Sequence, residues 1–407
     1  MNSTASAQEN ATVLPKGANR IRSINILTSN ITHLHGTNGD RNELMAPLNM
    51  TLSAASQAAS NAGLQNLYEK LNMVESGLGD KLFQTQIQSQ GQLSFHRIIN
   101  AYEIGATPRL SFGIIVPVIA YRASATFSAN TESQAMQILE NRIKPMGSAG
   151  APLAKGLQEF EANLPSREIY ENAIFTSKGY KVPSQSSGAG LGDIELGLKW
   201  QFYKGSIWSS SLQSGFRFPT ASLKKDYTDL LSQTSGDNQL DYGVYHQNDL
   251  FITPFTVFNF SNKFTFQFSN REYRPAPSLN QIGLTDLNNP DNWDTITRNL
   301  GDIFESEASL TQYFYEKHLN TYLSYQYLHK GKDSYKGNKV LDYDAIGKDT
   351  QALAHRLELG IGMSNIPSYL KKKTSIPLEM KASYNVGVYG KNVPDLNYAR
   401  FDLYLYF

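Results

Sequence analysis

LGDIELGLKWQFY runs from Leu191 to Tyr203, Lys204-Gly205-Ser206 follow, and IWSSSLQSGFRF runs from Ile207 to Phe218. Ile194, Leu196, Leu198, Trp200 and Phe202 alternate with Asp193, Glu195, Gly197, Lys199 and Gln201. A period of two sends the sets to opposite faces of a β-strand. After the turn, Trp208, Leu212, Phe216 and Phe218 share one face, and Ser209, Ser211, Gln213 and Arg217 share the other. A soluble sandwich strand also alternates, but it buries its apolar face. Here the apolar face carries Trp and Phe at both ends, while the polar face carries small and charged groups. Lipid outside and water inside a closed barrel accounts for both features.

The chain's last residues, NYARFDLYLYF, repeat the pattern. Phe401, Leu403, Leu405 and Phe407 share one face, and Arg400, Asp402 and Tyr404 share the other. A final alternating strand ending in Phe resembles the signal by which outer-membrane barrels are recognised for assembly. The chain has 407 residues, no Cys, 23 Tyr, 20 Phe and 30 Gly, and 18% of it is charged. Aromatic richness suits interfacial girdles, and absent Cys suits an oxidising periplasmic route. Mean hydropathy is −0.39 and no apolar run reaches the length of a membrane helix, which excludes a helical membrane protein. A net charge of +1 argues against a nucleic-acid partner.

Taken in order, the chain predicts an all-β transmembrane antiparallel barrel of about twelve strands. Residues 1–17 read as a flexible tail and 18–407 as the barrel. No basic and then apolar leader precedes residue 20, so a mature or trimmed chain is expected. Long loops are expected at 34–88, 128–188, 219–247, 274–301 and 330–350. Residues 50–71 and 166–178 read as helix. Thr131 and Gln134 fit a capping box, with Met136, Leu139 and Ile143 on one stripe after it. Strand six is expected at 248–260 and strand seven at 264–273, joined through Ser261-Asn262-Lys263. Long connections alternate with short ones, as extracellular loops alternate with periplasmic turns in outer-membrane barrels.

GLGDIELGLKWQF (Gly190 to Phe202) followed by GFRFPTAS (Gly215 to Ser222) resembles the outer-membrane family linked to meta-pathway phenol degradation. That family is loosely grouped with the long-chain fatty-acid transporter barrels. Ala221 stands where its Phe/Leu-Pro-Thr-Gly turn carries Gly, and the transporters' Asn-Pro-Ala hatch signature is absent. The resemblance implies outer-membrane passage of small molecules, hydrophobic ones included, without naming a substrate.

Parity assigns Asp193, Glu195, Lys199, Arg217, Arg271, Glu305, Glu307, Arg356, Glu358, Glu379, Lys381, Arg400 and Asp402 to the lumen. It assigns Ile194, Leu196, Leu198, Trp200, Phe202, Trp208, Leu212 and Phe216 to lipid. Phe401, Leu403, Leu405 and Phe407 form the assembly signal. Acids and bases balance, so either opposed ladders line a wet pore or they pair and fill the lumen. A three-residue hairpin turn at 204–206 sets Asp193 opposite Arg217, with both pointing inward.

Catalytic signals are weak: there is no G-x-S-x-G elbow and no P-loop, and His355 has no assignable Ser beside it. His33 and His35 are too few ligands for a metal. The Asp286–Asp294 loop is oxygen-rich, as a Ca²⁺ loop is, but reads more simply as a wet turn. Gly188-x-Gly190-x-Gly192 reads as a flexible lead into its strand. The expectation is a monomeric, non-enzymatic barrel without cofactor or metal that passes small molecules. A non-conducting scaffold or adhesin working through its long loops is the alternative. Expected partners are outer-membrane lipid and lipopolysaccharide, the barrel-assembly machinery and, on the alternative, another envelope protein.

Overall fold

The structure, a computed structural model, describes residues 11–58, 61–281 and 283–407. Twelve strands form the wall: β1 (Asn19–Thr28), β2 (Phe83–Thr107), β3 (Leu110–Ser133), β4 (Ile194–Lys204), β5 (Trp208–Phe218) and β6 (Asp241–Thr253), then β7 (Thr256–Gln267), β8 (Ile303–Phe314), β9 (Leu319–Lys330), β10 (Ala352–Ser364), β11 (Leu378–Lys391) and β12 (Tyr398–Tyr406). Each pairs antiparallel with the next along the chain, except that β1 pairs with both β2 and β12 and so closes the sheet. Two further strands of the same sheet, Met50–Ser53 and Gln185–Leu191, are not wall strands: they pair with parts of β2 and β3. Closure leaves no edge to template aggregation. The backbones of Asn19 and Phe407 seal it, exchanging hydrogen bonds of 2.7 and 3.1 Å.

The chain divides into two compact units. The first, Met1–Leu44, Gln92–Ser124 and Gln185–Phe407, contains all or part of every wall strand. The second, Met45–Gly91 and Ala125–Ser184, contains the helices Ala54–Ala58, Ala62–Val74, Ala151–Ala162 and Arg167–Ile174. Its core packs Leu71, Leu82, Phe83, Leu139, Ile143 and Leu157, all nearly inaccessible to solvent. Leu139 and Ile143 thus take the expected stripe, but Met136 is exposed. No capping box forms. Thr131 is still in β3, its hydroxyl 2.9 Å from that of Thr85, and Gln134 makes no side-chain cap. The helix expected across 50–71 is a short strand followed by two helices.

Side-chain parity follows the sequence on β4, β5 and β12. Leu196, Leu198, Trp200, Trp208, Phe216, Phe401, Leu403 and Phe407 face outward and exposed, and Ile194, Phe202, Leu212 and Leu405 lie partly covered on the same face. Asp193, Arg217, Arg400 and Asp402 are buried. Among the described residues no helix is long and apolar enough to cross a membrane; crossing strands are a separate matter. If the outward face meets lipid, Leu198→Arg should cost about 2–4 kcal/mol. Unfolding by denaturant in lipid vesicles, compared with Leu198→Ala, measures this.

Two registers differ from expectation. In the opening hairpin Glu195, not Asp193, stands opposite Arg217, and a bulge lies between Trp200 and Tyr203. The extra residue of a bulge shifts everything beyond it. The turn is longer too: Lys204 pairs with Ser209, and Gly205 N–H bonds Trp208 O at 2.8 Å. Further on, the β6–β7 turn is Pro254-Phe255 and not Ser261-Asn262-Lys263. Those three residues are strand: Ser261 is buried inside, and Lys263 lies opposite Glu305 with their charged atoms 3.5 Å apart. A polar triplet inside a barrel strand resembles a turn in sequence, because both need water or polar partners on one side. Pro254 supplies the real signal, since it has no N–H to give a ladder.

Candidate functional site

The lumen has two halves of different character. On the β8–β12 side the charges pair and fill it. Glu358 accepts hydrogen bonds from Tyr322 Oη (3.0 Å), Gln326 Nε2 (2.8 Å) and Ser383 Oγ (2.7 Å). Ser324 Oγ donates to Glu307 at 2.7 Å. Arg400 grips Asp402 with Nε and Nη2 at 2.7 and 2.8 Å, and Tyr404 donates to the same carboxylate at 3.0 Å. Lys381 lies 3.2 Å from Glu379, with its ammonium over the Tyr404 ring. Buried charges persist only when paired and hydrogen-bonded in this way.

On the β2–β7 side, space remains. Gly113 pairs with Gly197, Gly197 with Gly215, and Gly215 with Gly243, so four neighbouring strands carry glycine at one level. By parity all four lie on the inward face, beside Ser111, Lys199, Arg217 and Asp241. A level without side chains leaves a gap about 140 Å³ in volume, also lined by Arg20, Arg22, Lys199 and Glu195. Gly215 is required by close approach, because a Cβ there would meet Leu196 O at 2.5 Å. Gly243 is not, as its Cβ would meet nothing nearer than 3.9 Å. In sequence Gly113, Gly197 and Gly243 each occupy an inward position between outward apolar residues, and Gly215 one between Ser214 and Phe216, a signal hidden by reading glycine only as flexibility.

At the long-loop end this space adjoins a cavity of about 740 Å³. Arg97 lines both. The cavity's apolar wall includes Ile26, Ile31, Phe95, Ile119 and Leu396. Its opposite wall is polar and comes from loop 219–240 and from a sheet of Asn270–Pro275, Trp293–Asn299 and Ser334–Lys336. Arg271 therefore lies off the barrel strands, on this sheet, yet lines the cavity as Arg356 does.

Loop 219–240 is folded inward and pinned. Asp193 accepts Ala221 N–H at 2.9 Å and Asp237 N–H at 3.0 Å. Arg217 takes Asp241 through Nε at 2.7 Å and Asp237 at 3.1 Å. The expected Asp193–Arg217 pair does not form: both residues hold the loop at Asp237, Asp193 through that residue's backbone N–H and Arg217 through its carboxylate. Gly190 lets the loop lie on the strand, since a Cβ there would meet Ser222 Oγ at 2.7 Å, so the glycine run is a packing surface, not a flexible lead. Burial pushes the Lys225 ammonium below its ordinary range, against the pull of Asp229 and Asp226. Burial, with the hydrogen bond Tyr227 donates to Glu272, raises the Tyr227 phenol.

At the short-turn end the chain's own N-terminal segment is held inside the barrel wall, bound in part to Ser111, which also lines the gap. Residues 1–10 of the expected tail lie outside the described residues, but residues 11–17 are held. Ala11 N–H bonds Asp249 at 2.8 Å, and Gln201 Nε2 donates to Ala11 O at 3.0 Å. Leu14 N–H bonds Ser111 Oγ at 3.0 Å, and Gly17 N–H bonds Gly105 O at 2.7 Å. Ala11 and Leu14 are buried. The tail's polar composition suggested water, but its backbone finds partners among inward Asp, Gln and Ser.

The remaining candidates have structural roles. Asp294 accepts from Asn338 N, Lys339 N and Tyr343 Oη, and Asp286 and Asn289 each accept a local backbone N–H. These oxygens of the Asp286–Asp294 loop are thus spent within the fold. His33 bonds Thr32 and His35 bonds Gly39 O. His355 bonds Tyr325 Oη at 2.5 Å among the rings of Tyr327 and Tyr389.

No protein-family model matches the chain, and no curated protein matches it in sequence. Among solved structures, an outer membrane channel from Pseudomonas putida F1 superposes with a TM-score of 0.51, at 9% identity, over 98% of this chain and 99% of that one. The fold is that of a bacterial outer-membrane β-barrel. The P. putida toluene transporter TodX aligns over 97% of this chain and 90% of its own at 9% identity, with a TM-score of 0.33. A Pseudomonas aeruginosa FadL homologue aligns over 96% and 90% at 7% identity, with a TM-score of 0.34. Scores of that size add nothing to the fold assignment. The superposition agrees with the resemblance carried by Gly190–Phe202 and Gly215–Ser222.

Proposed function

We propose that this chain is an outer-membrane channel for small molecules, including ones with apolar bodies. The observation that carries the reading is the inward glycine level across β3–β6. It keeps one side of the lumen open between the large cavity and the N-terminal segment, while the other side is packed solid. The likeness to a solved outer membrane channel supports it at the level of fold. Close approach accounts for Gly215 in any barrel, but not for Gly243, where a side chain would fit without a clash.

The test is swelling of proteoliposomes in small neutral and charged solutes. Swelling faster than in empty liposomes is the expected result; permeability equal to that of empty liposomes would favour the scaffold. The N-terminal segment bounds the rate. Deleting residues 1–17 should speed swelling several-fold, because Asp249, Gln201 and Ser111 then face water in place of Ala11 and Leu14. An unchanged rate in the deleted chain would show that the segment does not obstruct the path.

A further inference from the structure

The cavity at the long-loop end is strongly basic. Arg97 and Arg356 reach it from the wall, Lys224 and Lys225 from loop 219–240, and Arg271, Arg274 and Arg298 from the three-stranded sheet. Two acids, Asp237 and Glu272, line it with them. The acid–base balance of the sequence is thus not preserved locally: seven bases and two acids line this cavity.

These cations are not equally engaged. Arg298 is tied to Glu272 at 3.3 Å and to Asn270 at 3.1 Å, and Lys224 bonds Asn238. Arg274 is stacked between rings, 5.6 Å from Tyr227 and 5.3 Å from Tyr335, and its buried Nε has no acceptor among the described residues. Arg271 and Arg356 form no hydrogen bond or ion pair among the described residues. Concentrating so many like charges around one cavity is costly unless an anion occupies it. The same cavity is lined by the apolar Ile26, which is paired with Arg97 on the neighbouring strand, and by Phe95, Ile119 and Leu396.

We propose that this cavity binds a small organic carboxylate with a compact apolar or aromatic body, its carboxylate toward Arg271 and Arg356 and its body against the Ile26–Phe95–Ile119 wall. A guanidinium offers a carboxylate two parallel donors, and the apolar lining favours an anion with an apolar body over inorganic phosphate, which can take the same donors but has nothing to bury there. The proposal deepens the channel reading by naming the class of solute collected at the mouth, and it rests on that reading only for its consequence, transport.

Calorimetric titration of the full chain in an uncharged detergent at low salt tests it, with benzoate, benzyl alcohol and inorganic phosphate as probes. Benzoate should bind saturably at one site, and both other probes at least about tenfold more weakly. Arg271→Gln and Arg356→Gln should each weaken benzoate about tenfold while the protein still migrates as a folded, heat-modifiable barrel. Arg271 lies exposed on the loop sheet, so its variant is informative even if the Arg356 variant fails to fold. Absent benzoate binding, equal binding of benzyl alcohol or phosphate, or an unaltered Arg271→Gln variant would overturn the proposal. Binding needs no current. Benzoate binding without solute passage upholds the site and defeats the channel, whereas passage without benzoate binding does the reverse.

Discussion

Gly243→Trp is expected to leave the barrel folded and to cut its conductance by about tenfold or more. Position 243 is the third residue of β6, on the inward face between Asp241 and Tyr245. A Cβ there meets Lys263 Cε at 3.9 Å, the far end of a flexible side chain, and Gly215 O at 4.0 Å, both ordinary contact distances. The backbone therefore accepts a side chain, and the strand pairs on both sides are undisturbed. The indole has one direction to go: into the roughly 140 Å³ gap below the cavity. Gly215→Ala serves as the contrast. Its Cβ meets Leu196 O at 2.5 Å, so it should lower stability rather than merely fill space. Planar-bilayer recording with matched heat-modifiability gels separates the two effects. A Gly243→Trp barrel that conducts like the parent would mean that the path does not pass the glycine level.

The largest stability loss is expected from Arg400→Ala. Arg400 and Asp402 are 3% and 2% exposed, and their two-point contact is the centre of the packed side. Removing the guanidinium leaves Asp402 with Tyr404 alone as a direct partner. Breaking a buried pair from one side costs about 3–5 kcal/mol, because the remaining charge stays desolvated. Denaturant unfolding in vesicles measures it. The double variant Arg400→Leu with Asp402→Leu should recover much of the loss, since apolar replacement of a whole pair is often neutral. A single variant as stable as the parent would mean that water reaches Asp402 and that this side of the lumen is not packed.

Sequence reading went far with the wall and less far with the lumen, for physical reasons. Period-two alternation is imposed by two solvents on a strand's two faces, so Leu196, Leu198, Trp200, Phe401 and Leu403 were legible one by one. Strand number, loop asymmetry and closure followed from the same signal. Registers were not legible where a bulge intervenes, because Gln201 and Phe202 look the same in sequence whether or not the ladder skips a residue. The 261–263 triplet misled because lumen water permits in mid-strand what a soluble protein permits only in a turn. Parity is blind to partners and to where a barrel strand stops, so Arg271 was read onto the wall when it belongs to the loop sheet. It put Asp193 and Arg217 on one face, and loop 219–240 then claimed both. The glycine level at 113, 197, 215 and 243 needed three registers to be known together. The basic cavity needed a sheet built from residues 270–275, 293–299 and 334–336, whose pairing no local pattern announces.

Single-channel recording of the purified chain in planar bilayers tests the central claim most directly. The account predicts discrete conductance steps, larger steps when residues 1–17 are removed, and a reversal potential in a salt gradient that favours anions, as a mouth lined by Arg97, Arg271 and Arg356 requires. Folded barrels that insert yet show no steps, with or without residues 1–17, would contradict it.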